Sequence, residues 1–184
     1  MFIEALQNFQ PSCEQEFHDK RMMLHYAQTF DDILLRTNET VHFTASAWIV
    51  NPERTRVLMV HHNIYNSWSW VGGHADGNPN LPAVALKEAG EETGAHDIRP
   101  ITSDIFSVEI LPVIAHFKRG KYVVPHLHLN VTYLIEADDR QPLHSNPDEN
   151  SAVRWFPLAE AVEICIEPAM QVIYRKLNDK LRQL

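Results

Sequence analysis

Three glutamates in one short stretch have the types and spacing for cation chemistry. Glu88, Glu91 and Glu92 stand three and four residues apart, so on a helix all three carboxylates share one face. Exposed like charges at that spacing repel by about 0.2–0.5 kcal/mol per pair. The C-terminal end of a helix, where the dipole is negative, is also the wrong end for anions. A divalent cation reverses the sign of both problems. Carboxylate oxygens are hard ligands that suit Mg2+ or Mn2+, magnesium taking about six oxygens at roughly 2.1 Å. The alternative is a solvated acidic helix face.

Local punctuation tells which elements must hold these groups. Trp70 and Val71 end a strand that runs into Gly72-Gly73, and a polar turn, Asp76-Gly77-Asn78-Pro79-Asn80, follows. Asn78 or Asn80 can cap a helix whose first turn tolerates Pro79 or Pro82. That helix runs to about Thr93 and is stopped by Gly94. Leu86, Ala89 and Thr93 lie opposite the carboxylates and face the core. Upstream, Val41–Asn51 and Arg56–His62 are rich in β-branched and apolar residues and predict two strands, with Pro52 breaking the run between them. Downstream, Ile105–Ala115 and Tyr122–Ala137 predict strands flanking a Lys118-Arg119-Gly120-Lys121 loop. Asp138–Asn150 is a loop, Ala152–Phe156 a short strand, and the remainder is helical apart from an interruption at Pro168. There Met170, Ile173, Tyr174, Leu177 and Leu181 form an apolar stripe.

The first forty residues are helical in pattern. Met1–Gln10 makes a short helix ended by Pro11, and Ser12 with Gln15 has the spacing of a capping box that opens a second. This second helix packs on its own domain or, alternatively, binds a partner. The order of helices and strands predicts an α/β fold, a mixed sheet covered by helices on both sides. The chain is expected to be one domain over 1–184, with residues 1–38 a helical extension and 41–184 the core with its C-terminal helix.

The stretch Gly73–Ala95 resembles the Nudix box. That motif reads Gly, five residues of any kind, Glu, seven of any kind, Arg-Glu, an apolar residue, one of any kind, Glu-Glu, one of any kind, Gly and an apolar residue. Counted from Gly73, Glu88, Glu91, Glu92 and Gly94 fall in register, with Ala89 and Ala95 at the apolar positions, and the box covers 23 of the 184 residues. The motif's first glutamate is Pro79 here and its arginine is Lys87. In the family these two typically pair and support the loop, so loop geometry, rate and substrate are what their replacement affects. Gly73-His74-Ala75-Asp76-Gly77 looks like a variant loop of a Nudix subgroup. Asp76 either takes over ligand or loop-stabilising work or simply caps the turn.

The resemblance implies a Nudix-type α/β/α sandwich with Mg2+ (or Mn2+) held by Glu88, Glu91 and Glu92, and with the Gly72 carbonyl as a further ligand. Family members often use one more glutamate on a loop before a tryptophan-bearing strand, and Glu149, six residues before Trp155, stands in such a place. It is the candidate for an extra ligand or the base, against a solvated loop glutamate; Glu109 and Glu136 are weaker candidates. The chemistry implied is hydrolysis of a diphosphate linkage in a nucleotide-type substrate. Glu92 or Glu149 would accept the proton of the attacking water, with Glu91 also in the catalytic set.

Groups that would select the substrate are found outside the box. His126 and His128 alternate with leucines and share one face of their strand with Asn130 and Thr132, lining a cleft or facing solvent at an edge. Lys118 and Arg119, with Lys121, steer phosphates or are a solvated hairpin tip. Trp68, Tyr65 or Trp70 offers a ring to stack on a base, core packing being the alternative. His61, His62 and His74 lack zinc-type spacing and are assigned no metal.

Sixteen Lys and Arg against twenty-four Asp and Glu give a net charge of −8. Nonspecific binding to nucleic acid or an anionic membrane needs a cationic surface, so neither is an expected partner. A small-molecule diphosphate is the expected partner, with a homodimer in keeping with many Nudix enzymes. Cys13 and Cys165 have no metal-type spacing and are expected as free, buried thiols, with a single disulfide between them as the alternative. With no signal-peptide pattern and no long apolar run, the expected setting is cytoplasmic. Two rival functions remain. One is a non-catalytic Nudix-like module that binds nucleotides as a sensor. The other is isopentenyl-diphosphate isomerase, which His42–Asn51 and Gly72-Gly73-His74 resemble loosely, but which needs a cysteine where Gly72 stands.

Overall fold

Runs of β-branched residues broken by glycine and proline give ten strands and five helices among the described residues. The computed structural model describes residues 2–118 and 120–184; of Lys118 only the backbone is described. In chain order the elements are α1 (Phe2–Asn8), α2 (Glu14–Thr29), β1 (Val41–Val50), β2 (Arg56–His62), β3 (Ser67–Ser69), β4 (Val71–His74) and α3 (Leu81–Thr93). There follow β5 (Ile98–Pro100), β6 (Ser107–Val113), β7 (His116–Lys118), β8 (Lys121–Val123), β9 (His126–Ala137), β10 (Asn150–Pro157), α4 (Leu158–Ile164) and α5 (Pro168–Leu181). None of the described helices is long and apolar enough to cross a membrane. The chain forms two compact units, and β1, α3 and β9 each contribute residues to both.

The first unit comprises Met1–Ser46, Gly73–Val84 and Ser103–Tyr133. Here β6 pairs antiparallel with β9, from Ser107 opposite Thr132 to Val113 opposite His126. The start of β1 lies beside β9: Leu127 N–H donates to Thr40 O at 2.9 Å, and the Ser46 and Thr44 hydroxyls donate to Asn130 Oδ1 at 2.7 and 3.1 Å. Helix α2 covers β6 through Gln15, whose side chain donates to Val108 O, and Asp19, which accepts from Ile110 N–H. The capping box expected at Ser12 is replaced by another arrangement. Buried Glu16 accepts from both the backbone N–H and the hydroxyl of Ser12, at 2.8 and 2.9 Å, and Cys13 is the residue before the helix.

The second unit comprises Ala47–Gly72, Ala85–Thr102 and Leu134–Leu184. The end of β1 pairs with β2, β2 with both β3 and β10, and β5 with the end of β9, all antiparallel. The β1–β2 turn is held by Asn51, whose Oδ1 accepts the Thr55 and Arg56 N–H groups. Helix α5 places Tyr174 against Trp48, rings stacked at 5.2 Å, and the Tyr174 hydroxyl accepts the Trp70 N–H at 3.0 Å. The continuous strand expected over Tyr122–Ala137 is divided at Val124-Pro125, because proline cannot donate to a ladder. Cys13 is exposed and Cys165 buried, and both are free thiols.

Candidate active site

Helix α3 begins and ends on local chemistry. Asn80 Oδ1 accepts the Ala83 N–H at 3.2 Å, an N-cap interaction two residues before Pro82. At the other end Gly94 takes φ +70°, the left-handed conformation that terminates helices. Between them Ala89 and Thr93 are fully buried and Leu86 is half-buried. That rotation turns Glu92 inward, leaves Glu88 half-buried and puts Glu91 in solvent.

A third carboxylate arrives from the loop before β10. The Glu149 carbonyl accepts the Asn63 N–H at 3.0 Å, which ties the loop to the end of β2. Asn150 Nδ2 donates to the Glu92 carbonyl at 3.0 Å, and His144 N–H donates to the Thr93 carbonyl at 2.9 Å. Two carbonyls at the open end of α3 are thereby satisfied by the loop, and the loop is held against the helix. Glu88, Glu92 and Glu149 then offer ligand oxygens that all lie within 4.8 Å of one another.

The electrostatics of the cluster are unfavourable in the absence of a cation. Glu92 is 4% exposed, and burial pushes its carboxyl from the ordinary 4.5 up to about 8. The Gly72 N–H, donating to Glu92 Oε1 at 3.1 Å, opposes that rise, while the charges of Glu149, Glu88 and Glu91 add to it. Burial also raises Glu88, partly offset by Lys87. Lys87 Nζ lies 2.7 Å from Glu91 and 3.2 Å from Glu88, so the lysine at the motif's arginine position pairs with box carboxylates. Pro79 is exposed in the turn. An all-oxygen set in which carboxylates repel one another is the donor chemistry that Mg2+ and Mn2+ select.

The remaining sequence candidates occupy varied positions. Gly72 lies beside Glu92 through its N–H. His126 and His128 are half-buried, their Nε2 atoms 3.0 Å apart, and they share a cluster with His42 and His74 in the first unit. Neither faces solvent at an open edge, because β9 is flanked by β6 and β1. Trp68 is half-buried, edge-on to Phe156 and His61 at 4.7 and 5.4 Å. Trp70 is buried against Tyr174, as a core residue would be. Lys118 lies in the β7–β8 hairpin opposite Lys121, and Arg119 lies outside the described residues. Glu109 is buried among Ser107, Asn130 and Thr132, and Glu136 pairs with Arg99. Asp76 takes φ +48° and forms a two-point ion pair with Arg36. Its work is therefore to pin the 75–80 turn to the N-terminal segment, a role to which no local signal at Arg36 pointed.

The NUDIX domain family matches residues 40–177. A CMP-5'-(N-acetyl-N-hydroxy-3-aminopropyl)phosphonate hydrolase of Streptomyces rubellomurinus is 30% identical over 161 residues, covering 82% of this chain and 70% of that protein. An RNA pyrophosphohydrolase of Sphingopyxis alaskensis is 27% identical over 123 residues, covering 64% of this chain and 77% of that protein. Among solved structures, a C. elegans Ap4A hydrolase binary complex superposes with TM-score 0.57 at 18% identity, covering 77% of this chain and 98% of that one. A Nudix hydrolase from M. smegmatis gives TM-score 0.55 at 15% identity, covering 78% and 87%. The fold is accordingly an α/β/α sandwich with a mixed sheet, preceded by the helices α1 and α2.

Proposed function

The chain belongs to the NUDIX domain family, and on that premise we propose that it hydrolyses a diphosphate linkage in a nucleotide-type substrate, a nucleoside phosphate joined through an anhydride to a second moiety. The observation that carries this reading is the convergence of Glu88, Glu92 and Glu149 within 4.8 Å, with Glu92 buried. These three would hold Mg2+ or Mn2+, with Glu91 and the Gly72 carbonyl as further ligands. When bound, such a cation supplies the charge that relieves the carboxylate repulsion, polarises phosphate oxygens and lowers the pKa of water.

The chain's own residues do the rest. Attack of water on one phosphorus breaks its bond to the bridging oxygen and yields two phosphate-terminated halves. Glu92 or Glu149 takes the proton of that water. The Gly72 N–H fixes one oxygen of Glu92, which leaves its second oxygen for a ligand or a proton. The Asn150 and His144 bonds to the helix end keep Glu149 in register with α3. His126, His128, Trp68, Lys118 and Arg119 are proposed as substrate-contacting groups. The relative from S. rubellomurinus is named for a CMP-5'-phosphonate, which supports placing nucleotide-linked substrates first.

The test is product release from a panel of nucleoside triphosphates, dinucleotides, nucleotide sugars and CMP-linked phosphonates, with Mg2+ or Mn2+ and then with EDTA. The Glu91→Gln, Glu92→Gln double variant is run beside the wild type. Turnover of at least one compound, abolished by chelation and lowered by several powers of ten in the variant, is the expected result. Wild-type protein that binds the cation and a nucleotide yet turns over nothing refutes hydrolysis and leaves a nucleotide-binding module.

A further inference from the structure

Four imidazoles meet in the first unit, from three places far apart in sequence. His42 comes from the start of β1, His74 from the end of β4, and His126 and His128 from one face of β9. Ring centroids lie 5.1 Å apart for His42 and His74, 4.9 Å for His42 and His126, 5.0 Å for His42 and His128, 5.0 Å for His74 and His128, and 4.9 Å for His126 and His128. The ligand nitrogens of His42, His74 and His128 all lie within 4.8 Å of one another.

Backbone carbonyls fix two of the tautomers. His42 Nδ1 lies 2.9 Å from Asn38 O, and His126 Nδ1 lies 2.8 Å from Val124 O. A carbonyl only accepts, so both Nδ1 atoms carry the proton, and in the neutral imidazole each Nε2 carries the lone pair. His126 Nε2 accepts at 3.0 Å from His128 Nε2, which therefore carries the proton and leaves the His128 lone pair on Nδ1. His42 is 3% exposed, and its Nε2 has no hydrogen-bond partner. A buried nitrogen lone pair facing other imidazoles, its ring aimed by a carbonyl behind it, is how a protein presents a histidine to a metal.

We propose that His42, His74 and His128 form a second cation site, for a borderline divalent metal of the Zn2+ class, with His126 beside it. Imidazole nitrogen suits such metals, whereas Mg2+ selects oxygen. Ligand nitrogens on a tetrahedral Zn2+ lie about 3.3 Å apart, given Zn–N bonds of about 2.0–2.1 Å. The three rings therefore need to draw in by no more than about 1.5 Å, a side-chain rotation. Three protein ligands leave the fourth position open to water or an oxyanion. The donor set lies wholly in the first unit and shares no residue with the glutamate cluster; His128 is also among the groups proposed to contact substrate, and cation binding here does not depend on that contact.

The experiment uses the full chain stripped of metal with a chelator, then dialysed against Zn2+ alone in the presence of millimolar Mg2+. One Zn2+ per chain is expected for the wild type and for the Glu88→Gln, Glu92→Gln variant. In the His42→Asn, His128→Asn variant the affinity falls on the order of a hundredfold or more. Imidazole 15N resonances of the wild type give a second readout, and Zn2+ should move those of His42, His74 and His128 together. The proposal is overturned if the wild type binds no Zn2+ under these conditions, if the glutamine pair abolishes binding, or if the folded asparagine pair binds undiminished. Unmoved imidazole resonances overturn it even where the asparagine pair fails to fold.

Discussion

Replacing Glu92 by glutamine should stabilise the metal-free protein at alkaline pH, although it deletes a residue at the centre of the site. The Glu92 carboxyl titrates at about 8 in the fold, against an ordinary 4.5, chiefly because it is buried. A folded pKa raised above the unfolded one means that the folded chain holds one proton more between those values. The protonated carboxyl's contribution is therefore fully present below about pH 4.5 and lost as pH rises toward 8. The slope is about 1.4 kcal/mol per pH unit, with a ceiling of about 5 kcal/mol over the whole window. Relaxation around the buried carboxyl and its coupling to Glu88 bring the expected loss to about 2–5 kcal/mol. Glutamine keeps an oxygen for the Gly72 N–H and never ionises. His128 works in the opposite direction, because its lowered imidazole pKa makes stability fall as pH falls below the unfolded histidine value. The quantity to read is thus the difference between wild type and variant. The assay is urea unfolding in EDTA at about pH 5 and about pH 8.5, where a 2–5 kcal/mol difference corresponds to about 5–20 °C in Tm for a chain of this size. The two proteins should be nearly equal at the lower pH and the variant clearly more stable at the higher. Added Mg2+ should then raise the wild type and leave the variant almost unchanged. A wild-type–variant difference that stays constant between the two pH values would refute the assignment of a buried, cation-seeking carboxyl.

Three further outcomes follow from single contacts. Gly94→Ala places a Cβ on the His144 ring at a backbone φ of +70°; an expected loss of about 1–3 kcal/mol, with weaker divalent-cation binding because the 144–150 loop is pushed off the helix end, is checked by urea unfolding and cation titration. Asp76→Asn keeps a residue suited to φ +48° and removes only the half-exposed ion pair to Arg36, so it should cost under about 1 kcal/mol, while Asp76→Ala adds the left-handed backbone penalty of about 1–2 kcal/mol. Because Arg36 holds the Asp76 carboxyl below its usual range, that ion-pair stability is present above the unfolded carboxyl pKa and disappears on acidification. Tyr174→Phe strips the acceptor from the buried Trp70 N–H and should lower stability by about 1–3 kcal/mol while leaving cation binding intact, read by calorimetry and titration together.

What could be read in the sequence was what local chemistry decides. The cap at Asn80, the stop at Gly94 and the inward face of Ala89 and Thr93 all follow from residues within a few positions of one another, and α3 lies where they place it. The strands β1 and β2 likewise follow from β-branched runs and a proline between them. The three-residue strands β3, β5, β7 and β8 carry too little sequence for a signal of their own and are defined by the partners they pair with. At Ser12 a local rule gave the wrong partner, because the buried Glu16, which also accepts from the Ser107 hydroxyl, takes the contact that a capping box would give Gln15. Helical spacing put Glu88, Glu91 and Glu92 on one face, but burial separates them: Glu92 turns inward and Glu91 pairs with Lys87 in solvent. Glu149 was visible through the Nudix resemblance alone, since the bonds that bring its loop to α3 join residues some fifty positions apart.

The two clusters are places where the fold works against local preference in the same way. Carboxylates are gathered at the negative end of a helix, one of them buried enough to titrate at about 8. Imidazoles are gathered around a buried nitrogen without a hydrogen-bond partner. Neither arrangement is explained by packing, since an apolar residue of similar volume would fill either position at lower cost. Both become favourable once a cation shares the ligand atoms, and the donors differ: oxygens in one unit, nitrogens in the other. Spacing along the chain reveals the first cluster because one helix carries most of it. The second is hidden because β1, β4 and β9 each supply one or two histidines, and only strand pairing brings them together. A histidine without metal-type neighbours in sequence is therefore weak ground for excluding a metal, since the sheet can supply those neighbours from distant strands.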